Sequence, residues 1–372
     1  LSMSSRILQY YPMIHKDKLI YKYTDDIIRI GTDDNDVIEI KDVNHKIYPV
    51  LKSMTGDNSI QKILQNNNWL SLEKISSIVV RLAKANSLSV LKKPFSMLTK
   101  KDRFKDDLTY YFSEGENGEE ILNNLFNLKV TILGCGGGGS IIALQLADLG
   151  IKNIHLVDPD EVEISNLNRQ FMFDIDNIGE YKVNAVKKYL EHKHKDLNIT
   201  TSTLRITNVS HAINEISGSN WVFCCIDEPP YISQRIVNRA SYLKHIPSVY
   251  GFSSRDAAKM IIVKPDDTGC LDCLLTSVDD QYFEKTVLGL KNSDFHLITP
   301  IIIPNMMLET SWMVKKWIDT ALFNKYSGNV LYRFDYNTFV ENKFLFFKRQ
   351  KNCPTCGVIR NESKLWKLMP ID

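Results

Sequence analysis

From Leu128 onward the chain alternates short apolar runs with stretches of helical spacing. The apolar runs are Lys129–Leu133, Asn153–Val157, Asn198–Thr203, Trp221–Cys225, Ser248–Phe252 and Ala258–Val263. Helices are expected at Ile141–Leu149 and Val183–Leu190. Strand and helix in alternation predict an α/β fold with a Rossmann-like, mostly parallel sheet covered by helices. The first hundred residues read differently. Three β-rich runs, Leu19–Tyr23, Ile27–Ile30 and Val37–Ile40, are punctuated by polar turns such as Asp33-Asp34-Asn35-Asp36, as in a small antiparallel sheet. Helical periodicity follows in Ile47–Met54, closed by Gly56, and in Ser59–Gln65. A third helix starts at Ser71 and buries Ile75, Ile78, Val79, Leu82 and Ala83, with Ser59 and Ser71 as N-caps. Ser89-Val90-Leu91 forms a last strand. This three-strand, three-helix order looks like a small winged-helix domain over residues 1–99. The acidic, polar stretch 100–120 reads as a linker, and 121–372 as the larger domain.

Composition narrows the use of these domains. The 372 residues suit two or three domains at about 150 residues each. Lys+Arg 46 minus Asp+Glu 44 gives +2, so no bulk charge draws the chain to nucleic acid or an acidic membrane surface. The third helix of the front domain is also poor in base-reading side chains. A purely structural cap is one use for that domain, and capture of an extended peptide by strand addition to an exposed sheet edge is another. Val130–Ala147 is apolar enough to suggest a membrane span, but its glycine run and Asp148 favour strand, turn and helix. Leu1 and Ser2 ahead of Met3 read as an addition outside the fold. No charged stretch leads into an apolar core there, so a soluble cytoplasmic chain is expected.

Val130-Thr131-Ile132-Leu133 runs straight into Gly134-Cys135-Gly136-Gly137-Gly138-Gly139-Ser140, and a helix follows at once. Glycines here let the backbone approach a phosphate, while the helix N-terminus offers unpaired N–H groups. The next strand ends at Asp158, where an acid commonly binds ribose hydroxyls. A glycine-rich turn without ligand is the bland alternative, and a dehydrogenase would begin the same way. The residues after Asp158 separate these readings. Asp160-Glu161-Val162-Glu163-Ile164-Ser165-Asn166-Leu167-Asn168-Arg169-Gln170 brings a guanidinium that can fork across phosphate oxygens. Gly179-Glu180-Tyr181-Lys182 then opens a helix with an ammonium, and Phe223-Cys224-Cys225-Ile226-Asp227 ends a strand on a carboxylate. A lone carboxylate at that edge suits Mg²⁺ shared with phosphate oxygens. Taken singly, Arg169 could be a surface ion-pair partner, Lys182 solvent-facing and Asp227 a helix cap.

Seven cysteines, an odd number spread over a long chain, argue against a secreted disulfide scaffold. Cys270-Leu271-Asp272-Cys273 and Cys353-Pro354-Thr355-Cys356 are C-x-x-C knuckles whose four thiolates suit a closed tetrahedral Zn²⁺ site. That ion would pin the C-terminal tail back onto the domain. Cys135, Cys224 and Cys225 read as core residues.

The pattern Gly134-x-Gly136-Gly137-x-Gly139, Asp158-x-Asp160, Ser165-Asn166-Leu167-Asn168-Arg169-Gln170, Gly179-x-x-Lys182-x-x-Ala185 and Asp227 resembles the ubiquitin-activating, or ThiF/MoeB/HesA, superfamily over residues 108–357. The resemblance implies ATP attacked at its α-phosphorus by a substrate carboxylate, giving an acyl-adenylate and pyrophosphate. It also implies that Asp158 holds the ribose, that Asn166, Arg169 and Lys182 contact phosphates, that Asp227 binds Mg²⁺, and that Asp160 belongs to the nucleotide site. Zinc-bearing members carry two such knuckles. Members that pass a carrier onward as a thioester use a cysteine in a later loop, yet 276–299 contains none. The front domain and the missing transfer cysteine resemble the peptide-modifying branch, whose members carry an N-terminal precursor-peptide recognition domain and make peptide antibiotics. Pantocin-type chemistry, in which peptide glutamates are activated and cyclised, is favoured over microcin-type activation of a C-terminal carboxylate. Arg103-Phe104-Lys105-Asp106-Asp107-Leu108-Thr109-Tyr110-Tyr111 resembles the segment that sends an arginine to the partner's ATP in a homodimer. Asp106 stands at that arginine's position, so Arg103 or Lys105 substitutes or the contact is absent. Activation of a ubiquitin-like sulfur carrier, and a non-catalytic half of a heterodimer, are the alternatives. Such a half would be expected to lose the Arg, Lys or Asp kept here.

Overall fold

The computed structural model describes all residues except 1–6, 33–36, 100–101, 116, 279–280, 293–299, 326, 359–363 and 372. The Asp33–Asp36 turn, and residues 279–280 and 293–299 of the 276–299 segment, therefore lie outside the described residues. The chain divides into two units, Leu1–Asn124 and Leu125–Asp372.

In the first unit β2 (Ile20–Thr24), β3 (Ile27–Ile30) and β4 (Ile38–Lys41) form an antiparallel sheet with β3 in the middle. The helices α1 (Ile47–Ser53), α2 (Ile60–Gln65) and α3 (Leu72–Lys84) follow. Ser59 and Ser71 cap α2 and α3, their hydroxyls accepting from the Lys62 and Lys74 amides at 3.2 Å. Ile28, Ile30, Leu51, Ile63, Ile75 and Leu82 meet in the core. A strand absent from the sequence reading, β1 (Tyr11–Ile14), pairs antiparallel with β5 (Leu88–Leu91). Its run Tyr-Pro-Met-Ile has no alternation and a proline, and its partner lies over seventy residues away. The expected linker is corrected too. After the short α4 (Phe95–Leu98), α5 (Lys105–Ser113) and α6 (Gly118–Asn127) occupy most of 100–120. Leu108, Tyr111 and Phe112 are buried at i, i+3 and i+4, a helical stripe hidden by the acidic composition around it.

The second unit holds an eight-stranded sheet in the order β13-β12-β11-β10-β9-β6-β7-β8. β6 (Lys129–Leu133), β7 (Asn153–Val157), β8 (Asn198–Ser202), β9 (Trp221–Cys224) and β10 (Ser248–Ser253) run parallel to one another. β11 (Ala257–Val263), β12 (Val330–Asp335) and β13 (Glu341–Phe346) continue the sheet antiparallel. The helices are α7 (Gly137–Asp148), α8 (Lys182–Lys193), α9 (Val209–Ile216), α10 (Ile232–Leu243), α11 (Leu271–Ser277), α12 (Gln281–Asn292), α13 (Ile303–Ala321) and α14 (Lys364–Leu368). α7 begins at the glycines themselves, four residues before the expected Ile141. From β6 the chain moves to β7 and β8 on one side, then returns to β9 and β10 on the other. The sheet's switch point therefore lies between β6 and β9, where open α/β sheets bind ligands. Among the described residues no helix is long and apolar enough to cross a membrane.

Candidate active site and metal centre

The glycine loop fills the switch point. Gly134 has φ +92°, and a Cβ on it would lie 2.5 Å from the Cys225 carbonyl at the end of β9. A Cβ on Gly139 would lie 1.8 Å from the Gly134 carbonyl. These two glycines are required by the protein's own packing. Gly136 differs. It caps α7 with φ −69°, and a Cβ there would meet nothing nearer than Gln170 Nε2 at 3.9 Å. Neither backbone nor packing requires glycine at 136. Gly137 lies under Met306 of α13, whose sulfur would be 2.2 Å from a Cβ.

Asp158, at the end of β7, is nearly buried. Its Oδ2 accepts from the Cys135 amide at 2.6 Å and its Oδ1 from the Asp160 amide at 2.8 Å. Burial pushes its carboxyl up, while those two amides and the charge of Lys182 hold it down. Lys182 opens α8 with 10% of its side chain exposed, and its Nζ pairs with Asp160 Oδ2 at 3.1 Å. Arg205 takes the other oxygen of Asp160 at 3.0 Å. No motif marked Arg205, which is exposed and stands just beyond β8. Asp227 lies exposed past β9. Crowding by protein pushes its carboxyl up most, Glu228 and Asp158 add to this, and Lys182 opposes it. Lys182, Asp158 and Asp227 thus share one electrostatic field.

The Asn-Leu-Asn-Arg-Gln stretch contributes less directly. Asn166 Oδ1 accepts from the Glu163 amide at 3.0 Å and closes a tight turn. Arg169 Nη1 donates to the Ser165 carbonyl and to Asn168 Oδ1, both at 2.9 Å. Its Nε and Nη2 have no hydrogen-bond partner among the described residues. Gln170, quoted only as part of the motif, is buried over the loop with its Oε1 unpartnered.

The two knuckles meet. Cys270, Cys273, Cys353 and Cys356 are buried, and their sulfurs lie within 4.8 Å of one another. Cys270 and Cys353 are 3.4 Å apart, Cys273 and Cys356 3.2 Å. Four thiolates at about 2.3 Å from Zn²⁺ stand about 3.8 Å from each other, so the residues fit the ion. The Gln350 amide donates to Cys273 Sγ at 3.3 Å, and the Cys356 amide to Cys353 Sγ at 3.4 Å. Around the cluster, Arg235 of α10 forks onto Asp272 at 2.8 and 3.2 Å and donates to the Met369 carbonyl. Thr355 donates to Asp272 at 2.7 Å, and Arg239 reaches Thr355 and the Pro354 carbonyl. The tail is therefore tied to the helix that follows Asp227. The C-x-x-C spacing marks the cysteines in the sequence, whereas no local pattern marks this ion pair. Cys135 and Cys224 are buried and Cys225 nearly so; burial pushes Cys224 up to about 12 and the other two well above the ordinary thiol value.

The ThiF family profile matches residues 112–355. The chain belongs to the ThiF family. Among curated ThiF-like relatives it is 35% identical over 105 residues to the adenylyltransferase and sulfurtransferase UBA4 of Saccharomyces cerevisiae, a match covering 28% of this chain and 24% of that protein. The chain spans under half the length of the curated relatives it matches. Two solved folds are similar over nearly the whole chain. Escherichia coli MccB, solved with ATP, has a TM-score of 0.72 at 21% identity and covers 93% of this chain and 99% of its own. PaaA has a TM-score of 0.69 at 19% identity and covers 90% and 99%. MccB has also been solved with N-formylated MccA and is described as a microcin C7 biosynthetic enzyme.

Proposed function

We propose that this ThiF-family chain is an ATP- and Mg²⁺-dependent enzyme that adenylates a carboxylate on a ribosomally made precursor peptide. Gly136 at the switch point carries the reading. The protein itself has no need of a glycine there, and the charged groups around it suit a polyphosphate. In this reading the loop from Gly134 to Gly139 admits the phosphates, and Asp158 turns toward the ribose. Asn166, Lys182 and the free nitrogens of Arg169 meet phosphate oxygens, with Asp160 holding Lys182 in place. Asp227 would hold Mg²⁺, which neutralises phosphate charge when bound. The substrate carboxylate attacks the α-phosphorus, and Arg169 and Lys182 stabilise the charge of departing pyrophosphate.

The solved likenesses extend across the first unit, and both β2 and β4 are unpaired edges of its sheet among the described residues. That geometry supports capture of a peptide strand. Ring closure by the activated carboxylate, as in pantocin-type chemistry, is the favoured outcome. Exposed Ile164, Phe171, Ile175 and Ile178, close together in sequence, support a homodimer, with Arg103 or Lys105 in the crossing role that Asp106 cannot fill. Four paired thiols support one structural zinc.

The test incubates the protein with MgATP and synthetic peptides encoded by the small reading frames beside its gene. Peptide-dependent pyrophosphate release and a product lighter by one water are expected, and no release with any of them overturns the reading. The match to UBA4 favours a second reading, activation of a sulfur-carrier protein. It predicts turnover with a Gly-Gly tail that survives deletion of residues 1–99.

A further inference from the structure

Glu309 sits in the middle of α13 and is 6% exposed. Its Oε2 accepts hydrogen bonds from the Ser253 and Tyr336 hydroxyls, the latter at 3.2 Å. No cation pairs with it among the described residues, and no hydrogen bond there reaches its Oε1. A buried carboxyl without a cation is costly to keep. Oriented by two donors on one oxygen, it presents the lone pairs of the other.

Its position is specific. Gly251 of β10 lies beside Oε1, where a Cβ would come within 3.3 Å; that Cβ would also strike the flexible end of Met313. Met306, one helical turn before Glu309, covers Gly137 of the loop. The charge of Glu309 reaches Cys225, two residues before Asp227. Ser253 ends β10, the strand next to β9. Glu309 therefore lies at the switch-point edge, on the side of Asp227 away from Asp158. The groups facing it are Ser253 from β10, Cys225 after β9 and Tyr336 after β12, with Thr310 beside it on its own helix. None is a permanent charge. Burial pushes the carboxyl above its ordinary range, and the two hydroxyl donors limit the rise.

We infer that Glu309 is the general base that takes the proton from the nitrogen attacking the acyl-adenylate. This rests on the adenylation reading above. In the step, the acyl carbon–nitrogen bond forms and the acyl carbon–oxygen bond to the phosphate breaks. AMP leaves with that oxygen's electron pair, and the nitrogen's proton passes to Glu309 Oε1. The ligand class at Oε1 is thus an amine or amide N–H of the peptide.

Glu309→Gln keeps the size and can still accept from both hydroxyls, but it cannot take a proton. With MgATP and the same synthetic peptides, two rates are read in separate incubations: hydroxamate formed when hydroxylamine is added, and ring-closed product formed without it. The ratio of ring-closed product to hydroxamate should fall by about 10²-fold or more. An unchanged ratio, whether both rates hold or both fall together, overturns the inference. Tyr336→Phe is the second variant. It keeps the base and removes one donor to its ionised form, so the acidic limb of the pH profile for AMP release should move to higher pH. An unmoved limb overturns the inference as well. A wild-type protein that releases no pyrophosphate with any peptide overturns the adenylation reading and this inference together. Adenylation with an unchanged ratio in E309Q overturns the inference alone.

Discussion

The cysteine cluster and the glycine-loop site stand in the same unit and are built in opposite ways. Around the cysteines the charged groups among the described residues are paired. The four thiols are buried against one another, Arg235 forks onto Asp272, and Thr355 and Arg239 close the ring. Around the glycine loop groups are left over. Arg169 keeps two nitrogens free, Asp227 is exposed, Gln170 has an unpartnered oxygen, and Gly136 faces open space. A saturated cluster stabilises, because any substitution leaves a buried partner alone. An unsaturated one is available to a ligand, and substitution there costs the fold little. Residue type does not separate the two sites; the accounting of partners does.

Metal removal should have the largest effect. A metal assay should find about one zinc per chain, and Cys353→Ser or a strong chelator should cost several kcal/mol in chemical denaturation; no zinc, or an unchanged midpoint, would break the contrast. Next comes Arg235→Ala, which strands Asp272 without its cation and should cost about 3–5 kcal/mol. Gly139→Ala should also be severe, since its Cβ would run into the Gly134 carbonyl at 1.8 Å. Gly136→Ala should stay within about 1 kcal/mol of wild type while calorimetric titration shows ATP affinity lost. Equal destabilisation by both alanines would show that the loop is shaped only by packing. Arg169→Ala should shift stability by no more than about 0.5 kcal/mol and lower peptide-dependent pyrophosphate release about 10²–10³-fold.

The smallest effect is a pH dependence. The folded carboxyl of Glu309 is raised above its ordinary 4.5. Its contribution to stability is therefore fullest below that value and lost as pH rises through the folded one. Melting of E309Q should gain on wild type as pH climbs from about 4 toward 8, and a gap that narrows would contradict that sign.

Much of both sites was legible along the chain, because their signals are local. The glycine run, the acid ending the next strand, the Asn166–Arg169 stretch and the two C-x-x-C knuckles each occupy a few consecutive positions. The N-caps Ser59 and Ser71 were legible for the same reason. The misses share another cause. β1 is a strand only because β5 pairs with it, and α5 reads as a linker because its buried stripe is short and its composition acidic. Arg235 and Asp272 look like ordinary surface charges until α10 and α11 face each other. Glu309 lies more than eighty residues beyond Asp227, the last residue of the nucleotide-site pattern, and belongs to no motif.

Determined by the sequence alone were the alternation that makes a mostly parallel sheet, the loop that could admit phosphate, and the thiols that could hold zinc. Periodicity, glycine conformational freedom and ligand spacing all act over a few residues. Only the tertiary structure decided which charges are spent and which are free. It set Lys182 and Arg205 on the two oxygens of Asp160, paired Arg235 with Asp272 beside the cysteines, and left one oxygen of Glu309 bare beside the switch point. Whether a polar group is satisfied depends on neighbours brought together by the sheet order.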